Sequence, residues 1–310
     1  MSLSDVVTVG EAMALLMASQ PGPLEQVSQF ERTSAGAELN VAIGLRRLGH
    51  AVVYVSRLGD DSLGRHLRAV MAAEGIKLDH VRTDARHPTG FMLKSMVQDG
   101  SDPQVEYFRR GSAASHLSLE DLADGSLLPA RVLHLTGITP ALSPACRELV
   151  TVMAQRNRAG GGLVTFDPNL RPRLWPSQDS MVSTVNAMAA LADLVLPGLN
   201  EGRLLTGHTE PQQIADFYLA RGARQVVVKL GADGAYFASA DGRGVAPGVP
   251  VAKVVDTVGA GDGFAVGVIS ALLDGLPLAA AAARGNAIGA RVVQYRGDCE
   301  GLPRRAQLNE

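Results

Sequence analysis

The chain has 310 residues, 29 basic and 31 acidic, for a net charge of −2. Charge so evenly balanced, with no long run of either sign, leaves no footprint for nucleic acid or a membrane surface. Its two cysteines, Cys146 and Cys299, are too distant to form a metal pair or a disulfide framework, which fits a reducing cytoplasm.

Val6–Gly10 is the first predicted strand, and it begins too early to leave room for a signal peptide. No uncharged apolar stretch approaches the ~20 residues a bilayer requires. The strand runs into Gly10-Glu11-Ala12-Met13, which lacks the glycine fingerprint of a dinucleotide fold. Residues 11–34 alternate polar and apolar with no helix. Ser34-Ala-Gly-Ala-Glu-Leu-Asn40 then leads into a helix over Leu39–Leu48. Gly36 and Asn40 there could set a backbone amide and a side-chain amide against a polyol, or simply form a turn and a cap. A strand over Val52–Ser56 and a tight turn at Gly59–Gly64 precede a helix over Leu63–Glu74.

Residues 86–114 break the strand–helix alternation again. Thr89–Val97 and Gln104–Arg109 read as antiparallel strands around a turn at 98–103. Segments 11–34 and 86–114 are expected to project as a β-flap, serving as a lid or a dimer contact, with a plain surface hairpin as the alternative. Strands follow at Val132–Thr136, Leu163–Phe166, Leu194–Leu196, Val226–Leu230 and Ala235–Ser239. Between and after them lie helices at Pro144–Ala159, Met181–Leu191, Pro211–Ala220, Gly263–Leu273 and Leu278–Tyr295. The first of these is well marked, with Ser143 as N-cap, Pro144 in the first turn and Gly160 past its end. Residues 301–310 have no apolar pattern and read as a frayed tail. The alternation predicts an α/β fold with a mainly parallel sheet covered on both faces.

Asp256-Thr-Val-Gly-Ala-Gly-Asp-Gly-Phe264 carries the chemistry. Gly259, Ala260 and Gly261 sit where a strand-like run hands over to a helix, whose unpaired N–H groups and dipole suit an anion. A carboxylate there, Asp262, repels a phosphate guest unless its task is to take a proton from an attacking hydroxyl. The competing reading is an ordinary helix cap. Arg109 and Arg171 stand at strand exits, where an arginine fork clamps a planar anion or makes a surface ion pair. Val226–Ala235, with Lys229, Gly231, Ala232 and Gly234, offers backbone walls for a nucleotide or is only a hairpin.

In their order and spacing these segments resemble the ribokinase-like (PfkB) sugar kinases along nearly the full length. The amino signature is Ala35-Gly36-Ala-Glu-Leu-Asn40, with Arg46-Arg-Leu-Gly49 and Gly59-Asp60; the carboxy signature is Asp256–Asp262. Lys229–Gly234 and Asn286–Ala290 match nucleotide-site segments. Within the family, Tyr107-Phe-Arg109, Leu133–Pro144, Asp167–Arg171 and Arg296–Gly301 are most similar to 2-keto-3-deoxygluconate kinases. The resemblance implies one Rossmann-like domain, three-layered, with a small β-sheet lid. It implies MgATP as donor and the sugar acid's terminal (C6) hydroxyl as acceptor, with a monovalent cation such as K⁺ as a further family option.

Carried over, Asp262 is the base and Gly259–Gly261 the anion hole. Gly36, Asn40, Tyr107, Arg109, Ile138, Arg171 and Asp262 contact the sugar acid. Lys229, Gly231, Ala232, Gly234 and Asn286 line the ATP, and Glu201 reaches Mg²⁺ through water. Independently of the resemblance, an exposed flap predicts a homo-oligomer formed by strand pairing through the lid. Four places depart from the pattern, the first being Ala35-Gly36 where many relatives have two glycines. The sugar-binding aspartate of many relatives, after the first strand, is replaced by Ala14-Leu15-Leu16; a flap tyrosine is Met92; and the N-x-x-E element begins with Gly198. The alternatives are a kinase of a neutral sugar or nucleoside, such as a fructokinase, and a non-catalytic sugar or nucleotide sensor.

Overall fold

The computed structural model describes residues 4–97, 103–122 and 127–309. Among these, thirteen strands follow one another: β1 (Val6–Val9), β2 (Met13–Pro21), β3 (Phe30–Ala35), β4 (Val52–Gly59), β5 (Val81–Asp84), β6 (Phe91–Met96), β7 (Val105–Phe108), β8 (Val132–Thr136), β9 (Leu163–Asp167), β10 (Leu194–Val195), β11 (Gln225–Lys229), β12 (Gly234–Ser239) and β13 (Gly242–Pro247). Nine of them form one sheet, ordered β13-β12-β11-β10-β9-β8-β1-β4-β5. From β11 to β5 every pairing is parallel, and the hairpin strands β12 and β13 add an antiparallel edge.

The central strands are short and uniformly buried because helices cover both faces. Side chains alternate between the two cores with the strand's period of two. Val6 joins the core under the helices Ala37–Arg47, Ser62–Ala73, Ala260–Leu273 and Leu278–Val292. Val7 and Val9 join the core under Pro144–Ala159, Gln178–Ala189, Leu199–Thr206 and Pro211–Leu219.

A second sheet, ordered β3-β2-β6-β7, is built wholly from the two segments that lack helices. Its central pair β2–β6 is parallel and the outer pairs are antiparallel. Met13, Leu15, Met17, Ala35 and Met92 form its own small core, which accounts for the apolar replacement at Leu15. Of the expected turn at 98–103, residues 98–102 lie outside the described residues.

The α/β class, mainly parallel sheet and smaller sheet agree with expectation. So do the caps of the Pro144–Ala159 helix, where Ser143 accepts from the Cys146 amide at 3.1 Å. Several details differ. Helix Leu199–Thr206 and strands β5 and β13 were not anticipated. The helix has a glycine N-cap, so its start shows in the sequence only through Glu201, which accepts from the Gly198 amide at 2.8 Å. The final helix stops at Val292 rather than Tyr295. The frayed tail is a correction: Gly301, Leu302 and Pro303 are buried and Arg305–Asn309 forms a 3-10 turn. Arg47 anchors this stretch by donating to the carbonyls of Cys299 and Leu302 at 2.7 and 3.1 Å.

Candidate active site

The exits of β1, β8, β9 and β11 converge on the N-terminus of the Ala260–Leu273 helix, beside the place where strand order reverses around β1. Gly259 begins that helix with φ +84°, and a Cβ there would collide with the carbonyl oxygen of Asp298. Conformation and space therefore both demand glycine. The amides of the first turn have no helical acceptor, and the dipole adds positive potential, so the turn suits an anion.

No side chain caps this helix. The buried Asp262 carboxylate instead accepts from Asn40 Nδ2 at 2.7 Å and from Asn169 Nδ2 at 3.3 Å. Burial raises its pKa; the Asn40 hydrogen bond opposes the rise, and the charges of Asp167 and Asp298 add to it. The result is a carboxyl group titrating at about 7. Such a group is ionised often enough to accept a proton and basic enough to hold it.

Asn169 is a further site residue, and it carries the left-handed φ of +41° that asparagine tolerates. Its amide donates to Asp167 Oδ1 at 3.2 Å, while its Oδ1 accepts from Arg171 at 2.7 Å. One loop thus ties Asp167, Asp262 and Arg171 together. Asp167 also pairs with Lys229 at 2.7 Å. Burial lowers the Lys229 pKa, but the carboxylates of Asp167 and Glu201 outweigh it and the net shift is upward.

Two cavities meet here. The first, about 350 Å³, is lined by Gly36, Asn40, Tyr107, Arg109, Ile138, Arg171 and Asp262, so all the residues expected to touch the sugar acid share one space. Met92 lines it too, in place of the flap tyrosine that the resemblance implies. The second, about 420 Å³, holds Lys229, Gly231, Ala232, Gly234, Ala260, Gly261 and Asn286, with an apolar surround that includes Val249, Val251, Phe264 and Val293. Lys229, Thr257 and Gly261 line both. Asn286 donates to the carbonyls of Ala246 and Pro247, each at 3.0 Å, fixing the β13 end of this wall.

Both arginines of the first cavity also have partners within the protein. Arg109 is buried and spends its guanidinium on Glu11, with Nε and Nη2 at 2.6 and 2.5 Å from Oε2. Ser112 Oγ donates to the other Glu11 oxygen. Glu11 lies in the link between β1 and β2, so Arg109 lines the cavity already paired. Arg171 is half-buried, and its Nη1 donates to backbone carbonyls of its own loop as well as to Asn169. Glu38 is a second buried acid the sequence reading did not single out, accepting from Thr136 and Thr139 at 2.6 and 2.7 Å. Burial raises its pKa despite these hydrogen bonds.

Among the described residues no group of three or more His, Cys, Asp and Glu is arranged to hold a metal ion. Both Glu201 oxygens are taken by backbone amides, of Leu170 at 2.7 Å and Gly198 at 2.8 Å. Each oxygen accepts a single amide and keeps a further lone pair, which suits a metal-bound water. No described helix is long and apolar enough to cross a membrane.

Residues 3–305 match the pfkB family of carbohydrate kinases. A 2-dehydro-3-deoxygluconokinase of Bacillus subtilis (strain 168) is 48% identical over 305 residues, covering 98% of this chain and 94% of that protein. A crystal structure of a PfkB protein from Polaromonas sp. JS666 superposes with a TM-score of 0.91 at 54% identity, covering 99% of each chain. An aminoimidazole riboside kinase from Salmonella enterica, solved with aminoimidazole riboside and an ATP analog, gives 0.84 at 30% identity over 98% of each chain. The ribokinase-like α/β fold is shared with such proteins. A match that runs from one end of the sequence to the other, onto the same two-sheet architecture, leaves one conclusion: this chain belongs to the pfkB family of carbohydrate kinases, phosphotransferases with an alcohol acceptor.

Proposed function

We propose that the chain transfers the γ-phosphoryl group of MgATP to the C6 hydroxyl of 2-keto-3-deoxygluconate. The observation that carries this reading is the placing of Asp262, a buried carboxylate titrating at about 7 on the anion-holding turn where the two cavities meet. The substrate's acid group is supported by the name of the 48% identical relative and by Arg171 in the same cavity. Leu15 is buried where many relatives offer an aspartate, which weighs against a neutral sugar.

In this mechanism ATP lies in the apolar cavity between the glycines of 231–234 and Asn286. Its γ-phosphate is cradled by the amides of Gly259–Gly261. Mg²⁺ bound with the nucleotide would neutralise charge on its phosphates, with Glu201 holding a metal-bound water. Asn40 and Asn169 hold Asp262 in place. Asn40 Oδ1, which has no partner among the described residues, is a ready acceptor for a sugar hydroxyl. The C6 oxygen attacks the γ-phosphorus, the bond to the β,γ-bridging oxygen breaks, ADP leaves with that electron pair, and the C6 proton passes to Asp262. Positioning and fixed charge carry most of such a transfer.

We assign the smaller sheet, from excursions at 11–34 and 86–114, as the lid of a single kinase domain. Self-association is placed on its outer face, where Phe108 is 47% exposed and stacks on Phe91 at 4.6 Å. Two buried free cysteines fit a reducing cytoplasm. The test is a panel of acceptors (the keto acid, fructose, ribose and nucleosides) with ATP and Mg²⁺, read as a mass gain of one phosphate. Turnover of the keto acid above the neutral sugars is the expected result. A neutral ketose outcompeting it at equal concentration would reassign the substrate, and no ATP consumption with any acceptor would point to a sensor.

A further inference from the structure

Lys94 is a buried cation that the mechanism above does not use. It lies on β6 of the small sheet, is 2% exposed, and reaches across to the main body. Its Nζ sits 2.6 Å from Asp256 Oδ2 and 3.1 Å from Asp298 Oδ1, both buried carboxylates. A carboxylate is kept out of water only where it is paired and hydrogen-bonded, and here one ammonium is the ion partner of two. The group therefore holds one site for one positive charge.

That site braces both flanks of the anion turn. Asp256 Oδ1 accepts from the Val258 amide at 3.1 Å and Oδ2 from the Gly297 amide at 3.3 Å. The backbone carbonyl of Asp298 is packed against Gly259 so closely that no side chain fits between them. On the other side, Arg296 donates to the Ala18 carbonyl of β2 at 2.8 Å and Thr33 of β3 to Glu300 at 2.8 Å. Small sheet, segment 296–300 and anion turn are joined, and Lys94 supplies the charge at the junction.

We propose that Lys94 is a built-in monovalent cation: a positioning residue whose ammonium group fixes the Gly259–Gly261 turn and couples its geometry to seating of the small sheet. Because the positive charge is covalently tethered, the protein needs no free K⁺ at this place. With Lys94 withdrawn, Asp256 and Asp298 repel each other and the turn they flank loosens.

This inference rests on the kinase reading for its rate measurements, while melting experiments read Lys94 without any substrate. Phosphoryl transfer and melting are compared in KCl and in tetramethylammonium chloride, whose cation is too large to enter the cluster. Wild type should behave alike in both. Lys94→Ala should lose about 10²-fold in rate in tetramethylammonium, the scale of a displaced catalytic element. K⁺ or ammonium should restore much of that loss and raise its melting temperature, neither salt doing so for wild type. Lys94→Met, which fills the space with an apolar chain, should be impaired and unresponsive to salt. A K⁺ requirement in wild type would overturn the proposal. So would a Lys94→Ala variant that is folded by circular dichroism yet as active as wild type without K⁺, or one that answers to no small cation in either rate or melting. If Lys94→Ala does not fold, the wild-type comparison decides alone. If wild type phosphorylates nothing, the functional reading fails while the melting comparison still judges Lys94.

Discussion

Asn40 and Asp262 are joined by a 2.7 Å hydrogen bond across 222 residues of sequence, and it is the contact that brings the amino and carboxy signatures together. The first turn of one helix presents the amide and the first turn of another presents the carboxylate. The amide donates to Oδ2, and its own oxygen has no partner among the described residues. In the proposed mechanism the pair holds a hydroxyl between an acceptor and a base.

Replacing Asp262 by Asn keeps the shape and removes the base. We expect kcat to fall by about 10²–10⁴-fold, the usual contribution of a general base, with KM for ATP little changed. Steady-state kinetics with both substrates checks this. Activity close to wild type would take Asp262 out of the role.

The same substitution should stabilise the protein, and only above a certain pH. An unfolded aspartate releases its proton near pH 4, whereas folded Asp262 keeps it until about 7. Between those values the folded state binds more protons than the unfolded one, so stability falls as pH rises. Above 7 the full cost of the buried charge is present, on the order of a few kcal/mol. The melting temperature of Asp262→Asn should therefore exceed wild type by several degrees at pH 8 and converge with it near pH 4. An advantage independent of pH would show that burial of the charge is not its origin.

In wild type, kcat/KM should climb with pH to a half-maximum near 7, reporting ionisation of the same group. Asn40 opposes the effect of burial by bonding the charged form. Asn40→Ala should then move this acid limb to higher pH as well as lower the plateau. A plateau change with the limb unmoved would mean that Asn40 serves only to position the sugar.

How much of this could be read from the sequence depends on how local each element is. The anion turn, Asp262 and the glycines of 231–234 occupy short contiguous stretches, and each carries its own backbone requirement, so their placement was legible. The small sheet was legible through two segments that lacked helical periodicity. Charge pairs made by the fold were not. Glu11 and Arg109 are 98 residues apart and Lys94 and Asp298 are 204 apart, and neither pair has a spacing or pattern to betray it. The buried Gly301–Pro303 stretch is similarly silent, because three residues anchored by Arg47 and Arg291 produce no periodicity.

The two arginines in the sugar cavity should respond differently to truncation. Arg109→Ala leaves Glu11 buried without its counter-charge, and breaking such a pair typically costs about 3–5 kcal/mol. A large fall in melting temperature should accompany its loss of activity, and Glu11→Gln should destabilise in the same direction. Arg171 is half-buried and bonds mainly to its own loop. Its removal should leave melting nearly intact while raising KM for the keto acid far more than for ATP. Differential scanning fluorimetry alongside kinetics separates the cases. Should Arg171→Ala raise both KM values equally, the loop it holds, rather than the substrate's acid group, would be its purpose.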